Sequence, residues 1–180
     1  PNSFRVVIGN YQSQYPYDAN IFNIGAMSYG ALSKTAISSL NKGAAIGGFA
    51  HNTGEGGISK YHLSGGDLIW QIGTGYFGCR NDDGTFNETT FREGALRPQV
   101  KMIEIKLSQG AKPGHGGILP AVKNTEEIAR IRHIKPGVAV HSPPSHSAFA
   151  DPIQFMHFIK KLRDLSDGKP IGFKLCLGRE

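Results

Sequence analysis

Residues 101–120 join a predicted buried strand to a glycine-rich loop that carries polar and cationic side chains. The apolar first half predicts a strand that ends near Lys106. The loop that follows contains Gln109, Lys112 and four glycines, and glycine lets a backbone approach a flat or charged ligand closely. Amide and ammonium groups released at a strand end are typical of the active-site edge of α/β proteins. The sequence therefore favours a binding edge here over a surface loop that binds nothing.

Polar side chains also lie at or just after the carboxyl ends of the other predicted strands, which are residues 21–26, 48–51, 68–72, 138–141 and 171–175. These side chains are Ser28, Glu55, Gln71, His146 and Lys174. The carboxyl ends of parallel strands meet at one edge of a sheet. We therefore expect one flat anionic ligand to be surrounded there by Ser28, Gln71, Lys106, Lys112 and Lys174. The histidines His115, His141 and His146 have no recognised ligand spacing, so no metal site is predicted.

Helix signals alternate with the strands. Ser33 is a candidate N-cap, Asn124 and Glu127 resemble a capping box, and Asp151–Pro152 is a strong helix start. The last of these helices is expected to bury Met156, Ile159 and Leu162.

The fold expected from this alternation is α/β, with a parallel sheet and helices outside it, because no hairpin signal interrupts the pattern. Residues 1–20 are interpreted as an N-terminal arm, and residues 21–180 as the N-terminal portion of a (β/α)8 TIM barrel. A whole barrel needs about 250 residues. The chain starts at Pro1 and stops just after a predicted strand, so we expect a piece of a longer protein.

Composition narrows the classes of ligand. The chain has 180 residues, a formal net charge of +6 and a pI near 9.4, which favours anionic ligands. Lysines and arginines are scattered and form no basic stripe, so nucleic acid is the weakest candidate partner. Two cysteines without metal or disulfide spacing predict a cytoplasmic protein, and no apolar run reaches membrane-spanning length. An anchor upstream of Pro1 is left open.

Residues 73–78 match the pattern G-x-G-x-x-G of dinucleotide-binding proteins. That fingerprint requires a helix to begin inside the motif, and a turn-forming run follows here instead. We therefore reject a dinucleotide-binding fold.

Four motifs in order carry a family resemblance: NIGAMSYGALS (23–33), NTGEGG (52–57), IEIKLSQGAKPGHGG (103–117) and HSPPSHSAF (141–149). With them the chain resembles the FMN-binding synthase domain of glutamate synthase over essentially its whole length. It is most similar to the stand-alone FMN-binding group that lacks a glutamine-hydrolysing domain.

The resemblance implies a barrel that binds FMN and forms L-glutamate reductively from 2-oxoglutarate through 2-iminoglutarate. The backbone of Ala26, Met27 and Ser28 would lie against the flavin. Gln71, Lys106 and Lys174 would contact its pyrimidine edge, where a lysine stabilises the negative charge of reduced flavin. A [3Fe–4S] cluster and a phosphate-binding glycine segment are expected beyond Glu180.

The same resemblance assigns catalysis to Glu55 and Lys112, and substrate binding to Gln109, Lys112 and Arg132. Two simpler interpretations stay open: Glu55 pairs with a loop lysine, or Arg132 lies on an exposed helix face. This chain has His115 and Ile118 where typical members carry Glu and Gln. Alternatives are therefore an FMN oxidoreductase for another imine or oxo acid, or a flavin-binding module without catalysis. The electron donor, nitrogen source and homo-oligomerisation are left open.

Overall fold

The structure, a computed structural model, describes residues 4–107 and 115–177. In chain order its strands and helices are β1 (Arg5–Ile8), β2 (Tyr17–Asn20), α1 (Lys34–Gly47), β3 (Ala50–Asn52), β4 (Asp67–Ile72), α2 (Glu88–Ala95), β5 (Val100–Lys106), β6 (Ile118–Leu119), α3 (Glu126–Arg132), β7 (Val140–His141), α4 (Pro152–Leu165) and β8 (Ile171–Lys174). Single 3-10 turns cover Lys60–His62 and Ala121–Lys123.

A parallel sheet with the strand order β3-β4-β5-β8 forms the centre of the fold. A parallel bridge between Ile24 and His51 adds a further short segment next to β3. The strands of this sheet are thus arranged in chain order, and β6 and β7, which lie between β5 and β8 in the sequence, are not part of it. The predicted α/β class is confirmed, with four parallel strands.

Period-two alternation gives the two faces of the sheet different characters. Leu68 and Trp70 of β4 and Ile103 of β5 are buried in one cluster with side chains of α2 and α4. Trp70 stacks on Phe91 of α2 with ring centroids 5.2 Å apart. The opposite face of β4 and β5 carries Gln71, Glu104 and Lys106. The helices therefore cover the apolar face, and polar groups gather on the other face near the strand ends.

Helix starts follow the predicted capping chemistry in two cases. The Ser33 Oγ accepts a hydrogen bond from the Ala36 N–H at 3.2 Å, and Asp151 accepts from the Gln154 N–H at 2.9 Å. The capping box at Asn124 was wrong. Thr125 caps α3 instead, and the Asn124 amide donates to the carbonyls of Lys135 and Val138, which lie beyond the end of α3.

Two antiparallel pairs, β1 with β2 and β6 with β7, were not predicted and form sheets separate from the parallel one. The predicted strand at 138–141, reduced to β7, therefore lies outside the parallel sheet. The expected strand at 21–26 is reduced to the single bridge at Ile24, and α2 was not predicted. Ile159 and Leu162 of α4 are buried as predicted, but Met156 is 60% exposed and Phe158 is buried instead. None of the described helices has both the length and the apolar character needed to cross a membrane.

Candidate functional site

The carboxyl edge of the parallel sheet borders a cavity of about 460 Å³. Its lining includes all six residues predicted to contact a cofactor and the predicted acid Glu55: Ala26, Met27, Ser28, Glu55, Gln71, Lys106 and Lys174, with Ala31, Leu32 and Gly54. These residues come from the ends of β4, β5 and β8 and from the loops beside β3. The structure therefore brings the strand-end residues together, while the roles assigned to them stay predictions.

Lys106 and Glu55 form an ion pair inside this site. The distance from the Lys106 Nζ to the Glu55 Oε1 is 2.9 Å, and the two side chains are only 13% and 18% exposed. Two glycines make room for the carboxylate. A Cβ at Gly73 would lie 2.6 Å from the Glu55 Oε2, and one at Gly117 would lie 2.8 Å from the Oε1. The carboxylate is thus held between two backbone segments as well as by its charge partner.

Glu104 fixes the orientation of the Gln71 amide. Its Oε1 accepts hydrogen bonds from the Gln71 Nε2 at 2.6 Å and from the Asn52 Nδ2 at 3.0 Å. A carboxylate that accepts the NH2 group leaves the Gln71 Oε1 as the atom that can accept from a ligand. Sequence reasoning missed Glu104, although a charged residue two positions before Lys106 in an apolar strand was a usable signal.

Two hydrogen bonds and the close approach of Gly54 fix the backbone around Met27. Its N–H donates to the Asn52 carbonyl at 3.1 Å, and its carbonyl accepts from the His62 Nε2 at 2.9 Å. Gly54 has φ +64°, and a Cβ there would lie 2.8 Å from the Ser28 nitrogen. A flat ligand beside residues 26–28 would therefore meet a rigid backbone surface.

A second cavity of about 270 Å³ shares Ser28, Ala31 and Glu55 with the first. It is also lined by Arg132, which is buried with 7% of its surface exposed. The interpretation that Arg132 lies on an exposed helix face was therefore wrong. The guanidinium lies 5.2 Å from the centre of the Phe77 ring and donates to the Tyr29 carbonyl at 3.3 Å. Its buried Nε has no hydrogen-bond partner among the described residues.

Burial lowers the pKa of Arg132, and the nearby Glu55 carboxylate opposes that shift. A buried cation without a bound carboxylate is costly, because desolvation is not repaid by a partner. Arg132 is thus the described group best suited to bind a ligand carboxylate in the second cavity.

Glu127 ties helix α3 to the loop that follows Met27. Its carboxylate accepts from the Tyr29 hydroxyl at 2.7 Å and the Tyr61 hydroxyl at 3.1 Å, and it pairs with Lys60 at 3.1 Å. Hydrogen bonds from Tyr29 and Lys60 lower the pKa of Glu127 to about 2. Because α3 also carries Arg132, this cluster fixes the position of the second cavity relative to the first.

Some predicted residues do not enter the described site. Gln109 and Lys112 lie in 108–114, outside the described residues. His115 and His141 are exposed, whereas His146 is buried and contacts the Lys106 carbonyl. Over residues 4–107 and 115–177, no group of three or more His, Cys, Asp or Glu side chains is arranged to hold a metal ion.

The fold and the two cavities define the class: an α/β protein whose candidate ligand site lies at the carboxyl ends of parallel strands. A family model described as a conserved region in glutamate synthase matches residues 9–180. The chain belongs to the glutamate synthase family.

Individual relatives agree with that assignment. The chain is 43% identical over 175 residues to the glutamate synthase large subunit-like protein YerD of Bacillus subtilis, covering 96% of this chain and 33% of YerD. It is 38% identical over 155 residues to an archaeal-type glutamate synthase [NADPH] of Thermotoga maritima, covering 84% of this chain and 28% of that protein. It is 35% identical over 156 residues to the glutamate synthase [NADPH] large chain of Azospirillum brasilense, covering 83% and 9%. The chain thus spans a third or less of these relatives.

The substitution Gly73→Ala tests the confinement of Glu55. A Cβ at Gly73 would also lie 2.9 Å from the Glu55 Cβ, so rotation of the carboxylate alone cannot relieve the overlap. We expect the free energy of unfolding, measured by urea titration, to fall by about 1–3 kcal/mol. Gly25→Ala is the matched control, because a Cβ there has no atom within 4 Å and should change stability by less than about 0.5 kcal/mol. Equal effects of the two variants would contradict the packing argument.

Glu127→Gln tests the cluster on α3 through pH. The folded-state pKa of Glu127 lies below its ordinary value of 4.5, so its contribution to stability is present above about pH 4.5 and is lost as the pH falls towards 2. The stability difference between wild type and Glu127→Gln should therefore be largest near neutral pH and shrink below pH 4.5. Glu126→Gln, on the same first turn of α3, removes an equal charge as the control. A difference for Glu127→Gln that did not change with pH would refute the assignment.

Proposed function

We propose that the protein is an FMN-dependent oxidoreductase of glutamate synthase type, which forms L-glutamate reductively from 2-oxoglutarate. The observation that carries this proposal is the cavity at the carboxyl edge, where Gln71, Lys106 and Lys174 lie beside the backbone of residues 26–28. Family membership and the names of the relatives support the same activity.

The proposed architecture is the N-terminal part of a (β/α)8 barrel. Support comes from the sheet, whose parallel strands follow chain order while α2 and α4 pack on one face only. In such barrels the active site lies at the carboxyl ends of the strands and the helices form the outer ring. The polar face that bears Gln71 and Glu104 would then point into the barrel.

The chemistry of the first cavity fits a flavin ring. The pyrimidine edge of isoalloxazine alternates carbonyl acceptors with one N–H donor, and the site offers lysine donors and the Gln71 Oε1 acceptor. A lysine there would stabilise the negative charge that reduced flavin carries. We place the phosphate-binding segment and any [3Fe–4S] ligands outside the described residues.

The second cavity fits the substrate. The 2-iminoglutarate formed from 2-oxoglutarate and ammonia, with loss of water, would need a hydride and a proton to become glutamate, and the flavin, when bound, would supply the hydride. Arg132 would bind a carboxylate of the oxo acid, and Glu55 would move a proton at the imine nitrogen, since it lines both cavities. Gln109 and Lys112 stay candidates for substrate contact, and Lys112 for catalysis.

One observation favours a second candidate, an FMN oxidoreductase that acts on another oxo acid or imine. Ile118, Leu119 and Val140 contribute an apolar part to the lining of the second cavity, which also contains Lys123. The apolar part suits an alkyl side chain better than a second carboxylate. The two candidates share the flavin site and differ only in the oxo acid.

The full-length protein tests the proposal directly. We expect it to purify with FMN, to be bleached by dithionite, and to be reoxidised without oxygen by 2-oxoglutarate with ammonium, forming glutamate in amounts equal to the flavin oxidised. Reoxidation by 2-oxoisocaproate but not by 2-oxoglutarate would favour the second candidate. A protein that binds no flavin would refute both.

Arg132→Lys tests the carboxylate-binding role. Lysine keeps the charge but loses the planar pair of donors, so we expect the KM for the oxo acid to rise about 10- to 100-fold with a smaller change in kcat. Arg130→Lys, on the exposed face of the same helix, should leave both constants unchanged. If the Arg132 and Arg130 variants bind the oxo acid equally well, Arg132 is not a substrate ligand.

A further inference from the structure

The segment 73–78, which matches the pattern G-x-G-x-x-G, holds a residue with an unusual backbone conformation. Tyr76 has φ +47°, a strained backbone conformation that non-glycine residues adopt rarely. Its ring is fully buried and packs against Phe86 and Phe158, with centroids 5.6 and 6.4 Å away. The core thus fixes the position of the phenol oxygen.

A chain of hydrogen bonds runs from that oxygen to the end of β5. The Tyr76 oxygen accepts from the Ala148 N–H at 3.1 Å and lies 3.0 Å from the His146 Nδ1. The His146 Nε2 lies 2.9 Å from the Lys106 carbonyl oxygen. A carbonyl only accepts, so the Nε2 carries the proton. Burial lowers the pKa of His146, so the ring is neutral and its Nδ1 accepts from the Tyr76 hydroxyl.

The hydrogen bonds end at the backbone carbonyl of Lys106, whose side chain lines the first cavity. Lys106 is the last residue of β5, is paired in register with Lys174, and extends its Nζ to Glu55. His146 also stacks on Phe149, with centroids 4.9 Å apart and an interplanar angle of 21°, so the ring has little freedom to rotate. Because the His146 Nε2 donates to the Lys106 carbonyl, a displacement of His146 would move the strand end that carries the ammonium group.

We propose that Tyr76 and His146 are positioning residues that hold Lys106 against the cofactor cavity. The role in flavin chemistry rests on the proposed function, whereas the hydrogen-bond chain itself does not. Removal of the Tyr76 hydroxyl would leave the His146 Nδ1 without its donor and the Ala148 N–H without its acceptor. The ring could then adopt the other tautomer, in which the Lys106 carbonyl loses its hydrogen bond.

The first measurement is the two-electron midpoint potential of FMN in the full-length protein. A lysine near the pyrimidine edge stabilises reduced flavin, so misplacing Lys106 lowers the potential. For Tyr76→Phe we expect reduced FMN to lose about tenfold in binding relative to oxidised FMN, which corresponds to about 30 mV. His146→Leu should lower the potential at least as much. His146→Gln keeps an N–H donor and should recover part of the loss.

Tyr17→Phe is the matched control. Its hydroxyl donates to Asp67, the first residue of β4, at 3.0 Å, and it is a buried tyrosine beside the amino end of the parallel sheet. It should leave the potential unchanged even if it lowers stability. Potentials that match wild type in both Tyr76→Phe and His146→Leu would overturn the proposal while leaving the proposed function intact.

The second measurement does not need flavin. Nitrogen-15 NMR of labelled histidines should find His146 as the neutral Nε2–H tautomer in wild type and as a mixture of tautomers in Tyr76→Phe. A wild-type Nδ1–H tautomer, or a tautomer unchanged by the substitution, would overturn the hydrogen-bond chain. If the protein binds no flavin, the proposed function fails, and this spectrum alone decides whether the hydrogen bonds from Tyr76 through His146 to Lys106 exist.

Discussion

The parallel register of β5 and β8 sets the electrostatics of the whole site. It places Lys106 directly opposite Lys174 at the carboxyl edge of the sheet. Like charges on adjacent strands repel each other, and Glu55 pairs with Lys106. No ion pair involves Lys174 in the described part of the chain. An anionic ligand between the two ammonium groups would relieve this imbalance, so the backbone register itself favours such a ligand.

The second constraint is close approach of backbone segments around Glu55. Gly73 and Gly117 leave space for the carboxylate, and Gly54 lets the backbone approach Ser28. Glu55 borders both cavities, so its position relates the predicted cofactor to the predicted substrate. Burial between rigid segments also limits solvent screening, which strengthens the interaction of Glu55 with Lys106. The site depends on glycine positions as much as on charged residues.

Much of this arrangement could be predicted from the sequence, because parallel strands deliver their terminal residues to one edge. Gln71, Lys106 and Lys174 follow from that rule without any knowledge of contacts. The buried location of Arg132 could not be predicted, because a seven-residue helix is too short for periodicity to separate its faces. Helix α2 was missed because only Phe91 and Ala95 are buried along it.

The contacts that orient the site residues could not be predicted from the sequence pattern either. An Asn124 side chain can either cap α3 or bond to backbone groups elsewhere. Here its amide donates to the carbonyls of Lys135 and Val138 and does not cap the helix. Glu104 and His146 act through neighbours far away in the chain, at Gln71 and at Lys106. Such pairs depend on tertiary packing, whereas the identity of the edge depends only on strand order.

A crystal structure of the full-length protein with FMN is the most direct test of the central claim, that this edge binds the pyrimidine end of a flavin. The account predicts the ring beside the backbone of residues 26–28, with its carbonyl oxygens or ring nitrogens within about 3.2 Å of side-chain atoms of Gln71, Lys106 and Lys174. A flavin bound elsewhere, or bound here with those three side chains turned away from it, would contradict the account.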